Sequence, residues 1–287
     1  MPDRPKRVAA IHDLSGFGRC SLSVILPTLS VMGVQVCPVP TTVFSTHTGG
    51  LGSVEQRDLS DFTLPCLEHY RRLGLEFECV YSGFLSSQEQ IDHCLKFFST
   101  YQDALAVVDP VMGDHQKPYR TCTPDMVRRM RELVQAADVI TPNLTEACML
   151  LKIPYFNEGL SRAQAKSLLV RLSELGPNYV VITGAPMASG SIANIGYDRQ
   201  NNSFWYIDCD YVPVSYPGTG DLFASVLTGG FLTGDSLPMA MGRAAYFVER
   251  CIKTTFSYSS DTRYGVMLEK ELGVLIDRQN IKDFSLL

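Results

Sequence analysis

The alternation of short apolar runs with amphipathic stretches limits the fold of this chain more than any other feature. From Val8 to Thr183, runs typical of buried strands alternate with stretches of helical periodicity. This order predicts an α/β fold with a doubly wound, mainly parallel central sheet and helices on both faces. Ligands of such sheets bind outside the carboxyl ends of the strands. Functional residues are therefore expected where the predicted strands end.

The apolar pattern defines each predicted element. Strands are predicted at Val8–Ile11, Val34–Val39, Phe77–Ser82, Leu105–Val108, Val139–Thr141 and Tyr179–Thr183, with a hairpin of Ile192–Tyr197 and Ser203–Ile207. Helices are predicted at Ser21–Met32, Ser60–Leu73, Gln88–Tyr101, Pro124–Ala136, Leu144–Leu151, Ser161–Leu175, Asp221–Leu232, Ser236–Thr255 and Met267–Ile276. The segments Thr41–Ser53 and Gly113–Thr123 are predicted as loops that cover the site. No repeat or long linker divides the sequence, which predicts one domain over residues 1–287.

Composition excludes several classes of function. Hydrophobic residues make up 45% and charged residues 19%, as in globular proteins, and the net charge of −5 argues against a nucleic-acid surface. No apolar run is long enough for a membrane span, and the apolar stretch behind the basic N-terminus is too short for a signal peptide. Nine cysteines without a CxxC pair favour reduced thiols over disulfides or a zinc site. The expected location is the cytoplasm.

The most informative motif is Pro-Gly-Thr-Gly-Asp-Leu-Phe-Ala-Ser at residues 217–225. Gly218 and Gly220 permit a tight turn before a helix, so that the N–H groups of Gly218, Thr219 and Gly220 form an anion hole. A carboxylate beside that hole, Asp221, suits a base for transfer of a phosphoryl group to a hydroxyl. The alternative is an ordinary capped helix after a glycine turn. The motif is neither a P-loop nor a dinucleotide fingerprint.

Polar residues follow several predicted strands and are expected to meet at one edge of the sheet. They are Asp13, Ser82, Asp109, Thr141 and Thr183. Asp109 and Asp114 flank a Pro/Gly turn, and Mg²⁺ binds such carboxylates together with phosphates and water. The alternative for this segment is a solvated loop. Asn143 and Glu146 have the spacing of a capping box, which by itself is an equal explanation for both.

Five segments resemble one known family. Asp109–Asp114 is similar to the DPVMGD segment of the pyridoxal kinase family within the ribokinase-like superfamily, and Thr141–Glu146 to its TPNxxE segment. Gly218–Asp221 is similar to its GTGD segment, and Phe44–Thr48 to its FSNHT vitamin-contacting loop. Ser82–Phe84 resembles its SGY or TGY turn. Several such segments in the family's order are a stronger signal than any one of them.

The resemblance implies a ribokinase-like fold and a homodimeric kinase that transfers the γ-phosphoryl of ATP to the 5′-hydroxymethyl of pyridoxal, pyridoxine or pyridoxamine. Such an enzyme feeds the salvage of pyridoxal 5′-phosphate. The implied base is Asp221, and the implied ATP-binding residues are Asp109, Asn143, Glu146, Thr183 and Thr219. The implied Mg²⁺ ligands are Asp109, Asp114 and Glu146, and a monovalent cation such as K⁺ is expected near Asp109, Thr141 and Thr183. The implied substrate-binding residues are Asp13, Ser45, Thr48, Phe84 and Asp221.

The chain departs from that family at two positions. Asp13 stands where the family has a serine against the pyridine ring, and Phe84 stands where it has a tyrosine. The segment from Asp13 to Gly18 is closer to the DPSGGAG turn of hydroxymethylpyrimidine kinases. A carboxylate at position 13 suits a protonated ring nitrogen or the amine of pyridoxamine.

Three alternative functions remain at this stage. The first is a hydroxymethylpyrimidine or hydroxymethylpyrimidine phosphate kinase of thiamine synthesis. The second is a non-catalytic B6-binding regulatory protein, which has no need of a base at Asp221. The third is a sugar or nucleoside kinase of the same fold, which a compact loop at Thr41–Ser53 disfavours.

Overall fold

A mixed sheet with helices on both faces organises the computed structural model, which describes residues 4–287. The strands are β1 (Arg7–Phe17), β2 (Gln35–Thr46), β3 (Gln56–Asp58), β4 (Cys79–Ser82), β5 (Leu105–Val108), β6 (Gly113–Asp114), β7 (Lys117–Pro118), β8 (Val139–Ile140), β9 (Tyr179–Pro186), β10 (Ile192–Asp198), β11 (Ser203–Cys209) and β12 (Ser285–Leu286). The helices are α1 (Leu22–Val31), α2 (Ser60–Arg72), α3 (Gln88–Thr100), α4 (Pro124–Gln135), α5 (Leu144–Leu151), α6 (Arg162–Ser173), α7 (Thr219–Leu232) and α8 (Leu237–Ser257).

The order of the strands defines where a ligand can bind. The main sheet of residues 4–287 runs β12-β11-β10-β9-β8-β5-β4-β1-β2-β3. The strands from β9 to β2 in that order pair in parallel, whereas β3 and β10–β12 are antiparallel at the two edges. This confirms the doubly wound, mainly parallel fold. Because β2 and β4 lie on opposite sides of β1, the chain reverses direction across the sheet there, and the crevice between β1 and β4 is the expected ligand site.

Both faces of the sheet are buried, which explains the nearly continuous apolar runs of the central strands. Along β1, Ala9 and Ile11 pack into the core formed with α2–α6. Val8 and Ala10 point to the other face, into the core formed with α1, α7 and α8. All four are fully buried. Helices therefore cover the sheet on both sides and leave its carboxyl edge for ligands.

The first part of the segment predicted as the loop Thr41–Ser53 is strand as far as Thr46, and the prediction is wrong there; residues 47–53 form a loop. After a bulge between His12 and Leu14, β1 and β2 continue to pair in parallel as far as Phe17 and Thr46. The short strand β3 then pairs with β2. Threonine, valine and phenylalanine in this region favour extended structure, and their propensity outweighs the polarity of the segment. The loop that disfavoured a sugar or nucleoside kinase is therefore shorter than predicted and connects β2 to β3.

Two other regions also differ from the predictions. The helix expected at Met267–Ile276 is a pair of short 3₁₀ turns, Leu268–Lys270 and Leu272–Leu275, and Gly273 lowers the helical propensity of the segment. The loop Gly113–Thr123 contains the hairpin of β6 and β7. None of the helices within residues 4–287 has the length and apolar character needed to cross a bilayer.

Candidate active site

The start of α7 is an open helix N-terminus at the carboxyl edge of the sheet. Gly218 is the capping residue, with a φ of 80°, and the N–H groups of Thr219, Gly220 and Asp221 have no hydrogen-bond partner among residues 4–287. A side chain at Gly218 would also overlap the carbonyl oxygen of Arg19. Glycine is thus required by the left-handed backbone and by the close approach of the β1–α1 segment. The free N–H groups and the helix dipole favour an anion here.

Gly220 differs from Gly218, and the expectation that both glycines form the tight turn is wrong. Gly220 lies inside the first turn of α7 without a left-handed φ. A Cβ atom at Gly220 would lie 3.9 Å from Oδ2 of Asp109, which is an ordinary contact. Its missing side chain therefore leaves open the space in front of Asp109.

Asp221 is half-buried in the first turn of α7. Its Oδ2 accepts a hydrogen bond of 2.9 Å from the backbone N–H of Ser21. Burial, with a smaller contribution from the charge of Asp13, raises the pKa of Asp221 to about 7, although the Ser21 N–H opposes the rise. A carboxylate with a pKa near neutrality is suited to accept a proton at physiological pH.

Asp109 and Thr141 directly follow the neighbouring strands β5 and β8, as the parallel sheet predicts, whereas Thr183 lies within β9, which continues to Pro186, and its backbone pairs with Asn143. Asp109 is 6% exposed, and burial together with the charge of Asp221 raises its pKa to about 8. The hydroxyl of Thr141 is buried and has no hydrogen-bond partner in the described chain. Thr183 is half-buried and donates its N–H to Pro142 O at 3.0 Å. Two like charges and an unpaired hydroxyl at this edge favour a bound cation.

Glu146 closes the start of α5. One carboxylate oxygen accepts the N–H of Asn143 at 2.8 Å, and the other accepts the N–H of Met112 at 3.0 Å. In return, Oδ1 of Asn143 accepts the Glu146 N–H at 3.0 Å, and its amide donates to Gly113 O at 2.8 Å. The predicted capping box is thus present. Burial, and then the charge of Asp109, raise the pKa of Glu146 well above its usual range.

The expected Mg²⁺ site of Asp109, Asp114 and Glu146 is not preformed. Within residues 4–287, no group of three or more His, Cys, Asp or Glu side chains is placed to hold a metal ion. Both oxygens of Glu146 accept backbone N–H groups, and Oδ1 of Asp114 accepts the N–H of His115 at 2.7 Å. Asp109 alone, buried beside the unpaired Thr141 hydroxyl, fits a cation that takes its other ligands from phosphate and water.

The crevice between β1 and β4 contains Asp13 and Phe84. Phe84 is half-buried and faces Phe44, with 6.3 Å between ring centroids. Asp13 is 4% exposed, and its two oxygens accept the hydroxyls of Ser21 at 2.5 Å and Ser15 at 3.1 Å. The hydrogen bonds of Asp13 are thus made within its own segment, and its contact with a substrate remains a prediction.

Ser45 and Thr48 lie on the exposed side of this region. Ser45 is in β2, and its hydroxyl accepts the N–H of Glu55 at 3.1 Å. Thr48 follows β2, and its carbonyl oxygen accepts the N–H of Gly50 at 3.2 Å. Their role in substrate binding also remains a prediction.

Two residues near the site were not identified from the sequence. Ser21 donates its N–H to Asp221, and no sequence signal predicts its unusual backbone. His47 is 5% exposed; its Nδ1 accepts the N–H of Gly49 at 3.0 Å, so Nε2 carries the proton and donates to Arg263 O at 2.5 Å. His47 lies in the segment that resembles the vitamin-contacting loop, and it ties the end of β2 to the C-terminal region.

The fold is that of the ribokinase-like small-molecule kinases. Residues 26–265 match the phosphomethylpyrimidine kinase family, and the chain belongs to that family. It is an enzyme of the kinase class.

Several relatives carry more specific names. A candidate phosphomethylpyrimidine kinase from Bacteroides thetaiotaomicron is 42% identical over 100% of this chain and 99% of that one, with a TM-score of 0.96. A second crystal form described with the same name contains pyridoxal. Pyridoxal kinase from Lactobacillus plantarum is 31% identical, covers 94% of this chain and 96% of that one, and has a TM-score of 0.87. A curated pyridoxal kinase from Rubrobacter xylanophilus is 28% identical, covering 86% of this chain and 87% of that protein.

Proposed function

We propose that this kinase phosphorylates the 5′-hydroxymethyl group of a B6 vitamer, namely pyridoxal, pyridoxine or pyridoxamine, at the expense of ATP. The observation that carries the proposal is the position of Asp221. Its half-buried carboxylate lies at the open start of α7, and its pKa is raised. Relatives named pyridoxal kinase, and the pyridoxal present in the Bacteroides crystal form, support the choice of substrate.

In this proposal the substrate lies in the crevice between β1 and β4, with its hydroxymethyl group towards Asp221. The free N–H groups at the start of α7 stabilise negative charge on the transferred phosphoryl. An ordinary alcohol is far less acidic than a carboxylic acid, so Asp221 takes the proton late, as the new O–P bond forms. The hairpin of β6 and β7, with Lys117 and Arg120 nearby, covers the phosphates and excludes water.

ATP would bind along the carboxyl edge near Asp109, Asn143, Glu146, Thr183 and Thr219. Asp109 would hold Mg²⁺ together with phosphate oxygens and water, with Asp114 and Glu146 acting through water, and the ion would supply positive charge for the phosphates. Thr141 and Thr183 would hold K⁺ beside Asp109, which gives the buried Thr141 hydroxyl a partner.

The remaining proposals concern the whole protein. We infer a single domain and a homodimer, since strands from both ends of the chain enter one sheet and large apolar side chains such as Phe17 and Phe62 are exposed. Sedimentation velocity tests the dimer. All nine cysteines are unpaired, and each lies in the described part of the chain, which supports the reducing cytoplasm as the location.

A second candidate substrate is hydroxymethylpyrimidine or its phosphate. It is favoured by the family match and by the Asp13–Gly18 segment, which is similar to that of hydroxymethylpyrimidine kinases. Hydroxymethylpyrimidine shares with the B6 vitamers a hydroxymethyl group on a nitrogen heterocycle and differs in the ring, whereas the acceptor in its phosphate would be a phosphate oxygen.

The test is a substrate panel with ATP and Mg²⁺, in which ADP release is followed for the three B6 vitamers and for hydroxymethylpyrimidine. We expect kcat/KM to be at least about tenfold higher for one B6 vitamer, a difference that corresponds to about 1.4 kcal/mol of transition-state stabilisation. A clear preference for hydroxymethylpyrimidine would replace the substrate and keep the mechanism. No ADP release with any alcohol would indicate a binding protein.

A further inference from the structure

Asp13 makes contacts that substrate binding does not require. It is 4% exposed, yet both of its oxygens accept hydrogen bonds from neutral hydroxyls, from Ser21 at 2.5 Å and from Ser15 at 3.1 Å. Burial raises its pKa, so the carboxylate is held in this position at an energetic cost. Capping a turn does not by itself account for a carboxylate that is buried to this degree.

A further reason lies in the backbone of Ser21. Ser21 has a φ of 50° and a ψ of −133°, a conformation that glycine adopts readily and that other residues adopt only under constraint. Besides its contact with Asp221, several interactions hold it: the Asp13 carboxylate accepts its hydroxyl, its carbonyl oxygen accepts the N–H groups of Val24 and Ile25, each at 3.0 Å, and its backbone forms a bridge with Leu14. The Asp13 contact is the one made by the Ser21 side chain.

The constrained backbone directs the Ser21 N–H at Asp221. This N–H reaches Oδ2 of Asp221 at 2.9 Å and joins two elements that are 200 residues apart in sequence. Gly218, whose place against Arg19 leaves no room for a side chain, holds α7 close to the same segment. The orientation of the proposed base therefore depends on the conformation of Ser21.

We propose that Asp13 is a positioning residue, which clamps Ser21 in its strained conformation and thereby orients the Asp221 carboxylate towards the substrate hydroxyl. The inference rests on the proposed function, because it requires Asp221 to be the base. It differs from the sequence-based expectation for Asp13, which is a direct contact with the ring or amine of the substrate.

The two roles of Asp13 predict different kinetics. A positioning residue acts on every substrate alike and lowers kcat, whereas a ring contact affects vitamers unequally. Misplacing a catalytic group by about 1 Å costs on the order of 100-fold in rate. For Asp13→Ala and Ser21→Ala we therefore expect kcat to fall about 10- to 100-fold with each vitamer, and the KM for ATP to stay within about threefold.

The chain offers matched variants. Ser15→Ala removes the other hydrogen bond to Asp13 and leaves the Ser21 clamp, so its kcat should stay within about threefold of the parent. Ser21→Gly removes the clamp but adopts the backbone conformation without strain, so it should be faster than Ser21→Ala. If Asp13→Ala does not fold, these Ser21 variants decide the question, because they leave the carboxylate in place.

The decisive experiment is a double-mutant cycle on the full-length protein, measured as kcat with each vitamer. In the Asp221→Asn background, Asp13→Ala should cause no further loss beyond about threefold, because its effect passes through Asp221. Three results would each overturn the positioning role. They are additive losses in the double-mutant cycle, a kcat for Ser21→Gly no higher than for Ser21→Ala, and a loss of activity more than about tenfold larger for pyridoxamine than for pyridoxal.

Failure of the proposed function and failure of the positioning role give different results. If the parent acts on hydroxymethylpyrimidine, the same ratios are measured with that substrate. A parent that releases no ADP with any of these alcohols overturns the proposed function and the role of Asp221 with it. An active parent whose Asp13→Ala and Ser21→Ala variants keep kcat within about threefold overturns the positioning role alone.

Discussion

Helices α5 and α7 begin at the same edge of the sheet, and each has an acidic residue at its third helical position. In α5, Glu146 folds back onto the N–H of Asn143 while the Asn143 side chain caps the helix. In α7, the capping residue is Gly218, which has no side chain, and Asp221 binds the N–H of Ser21 from another part of the chain. Asn143 thus caps the N–H of the third residue of α5, whereas none of the first three N–H groups of α7 has a partner among residues 4–287.

The difference shows how a single capping residue separates a structural helix start from a reactive one. An asparagine cap takes up one of the N–H groups of the first helical turn, and the acid in return binds the backbone N–H of the cap residue. A glycine cap leaves those N–H groups free for an anion and the acid free to face a substrate. Replacing the acid by its amide is therefore expected to lower activity at the α7 start and to lower stability at the α5 start.

Replacing the acid of the open helix start should have the largest effect on activity. Asp221→Asn retains an oxygen for the Ser21 N–H but cannot accept a proton, and loss of a general base costs about 10²- to 10⁴-fold in rate. We expect kcat to fall by that factor, with ATP affinity and the melting temperature close to those of the parent. Turnover within about threefold of the parent would show that Asp221 is not the base.

The two glycines of the α7 start should respond differently to the same substitution. Gly218→Ala forces a residue with a side chain into a left-handed backbone, at about 1–2 kcal/mol, and overlaps Arg19. We expect lower thermal stability and at least about tenfold lower kcat. Gly220→Ala, in a helical conformation with only an ordinary contact to Asp109, should retain the parent's melting temperature and lose activity by a smaller factor. Equal behaviour of the two variants would contradict the geometry of the turn.

The acid of the closed helix start should matter chiefly for stability. Glu146→Gln presents an N–H₂ group to one of two backbone N–H groups, so that a buried donor loses its partner at a cost of about 1–3 kcal/mol. Denaturant unfolding measures this loss, with Asp221→Asn as the matched variant from α7. A larger destabilisation by Asp221→Asn than by Glu146→Gln would reverse the assignment of the two helix starts.

The smallest expected effect is a pH dependence of stability in the free protein. The pKa values of Asp221 and Asp109 rise from 3.8 to about 7 and about 8 on folding, so these groups stabilise the fold at low pH and lose that contribution as pH rises towards 8. Buried His12, whose pKa falls from 6.5 to about 3, acts in the opposite direction, but only below about pH 6.5.

Thermal unfolding of the free protein between about pH 7 and 8.5, where His12 is largely neutral in both the folded and the unfolded chain, mainly reports the carboxylates. The melting temperature should fall as pH rises, and the slope should be smaller for Asp221→Asn than for the parent. A slope that is the same in both proteins would show that Asp221 does not titrate in this range.

The parallel sheet made much of the site predictable from the sequence. Asp109 and Thr141 follow neighbouring strands and lie at one edge because parallel strands end on the same side, and Thr183 lies in the adjacent β9, which continues beyond it. The spacing of Asn143 and Glu146 was also sufficient to predict the capping box, because that motif is local.

The parts that could not be predicted depend on contacts between distant segments. The backbone of Ser21 is constrained by its tertiary surroundings, and the role of Gly218 depends on its contact with Arg19. The continuation of β2 to Thr46 depends on pairing with β1, which polarity along a single segment does not reveal. The contact of Glu146 with Met112 from another loop is of the same kind, and the set of metal ligands remains a prediction.

The most direct test of phosphoryl transfer by this protein is a phosphorus NMR time course with ATP, Mg²⁺ and one B6 vitamer at a time. The account predicts that each ATP consumed yields one ADP and one vitamer phosphorylated at its 5′-hydroxymethyl group. In Asp221→Asn, the signals of ADP and of the phosphorylated vitamer should not appear, or should grow about 10²-fold or more slowly. Release of inorganic phosphate without a phosphorylated vitamer, or a phosphorylated product from hydroxymethylpyrimidine alone, would contradict it.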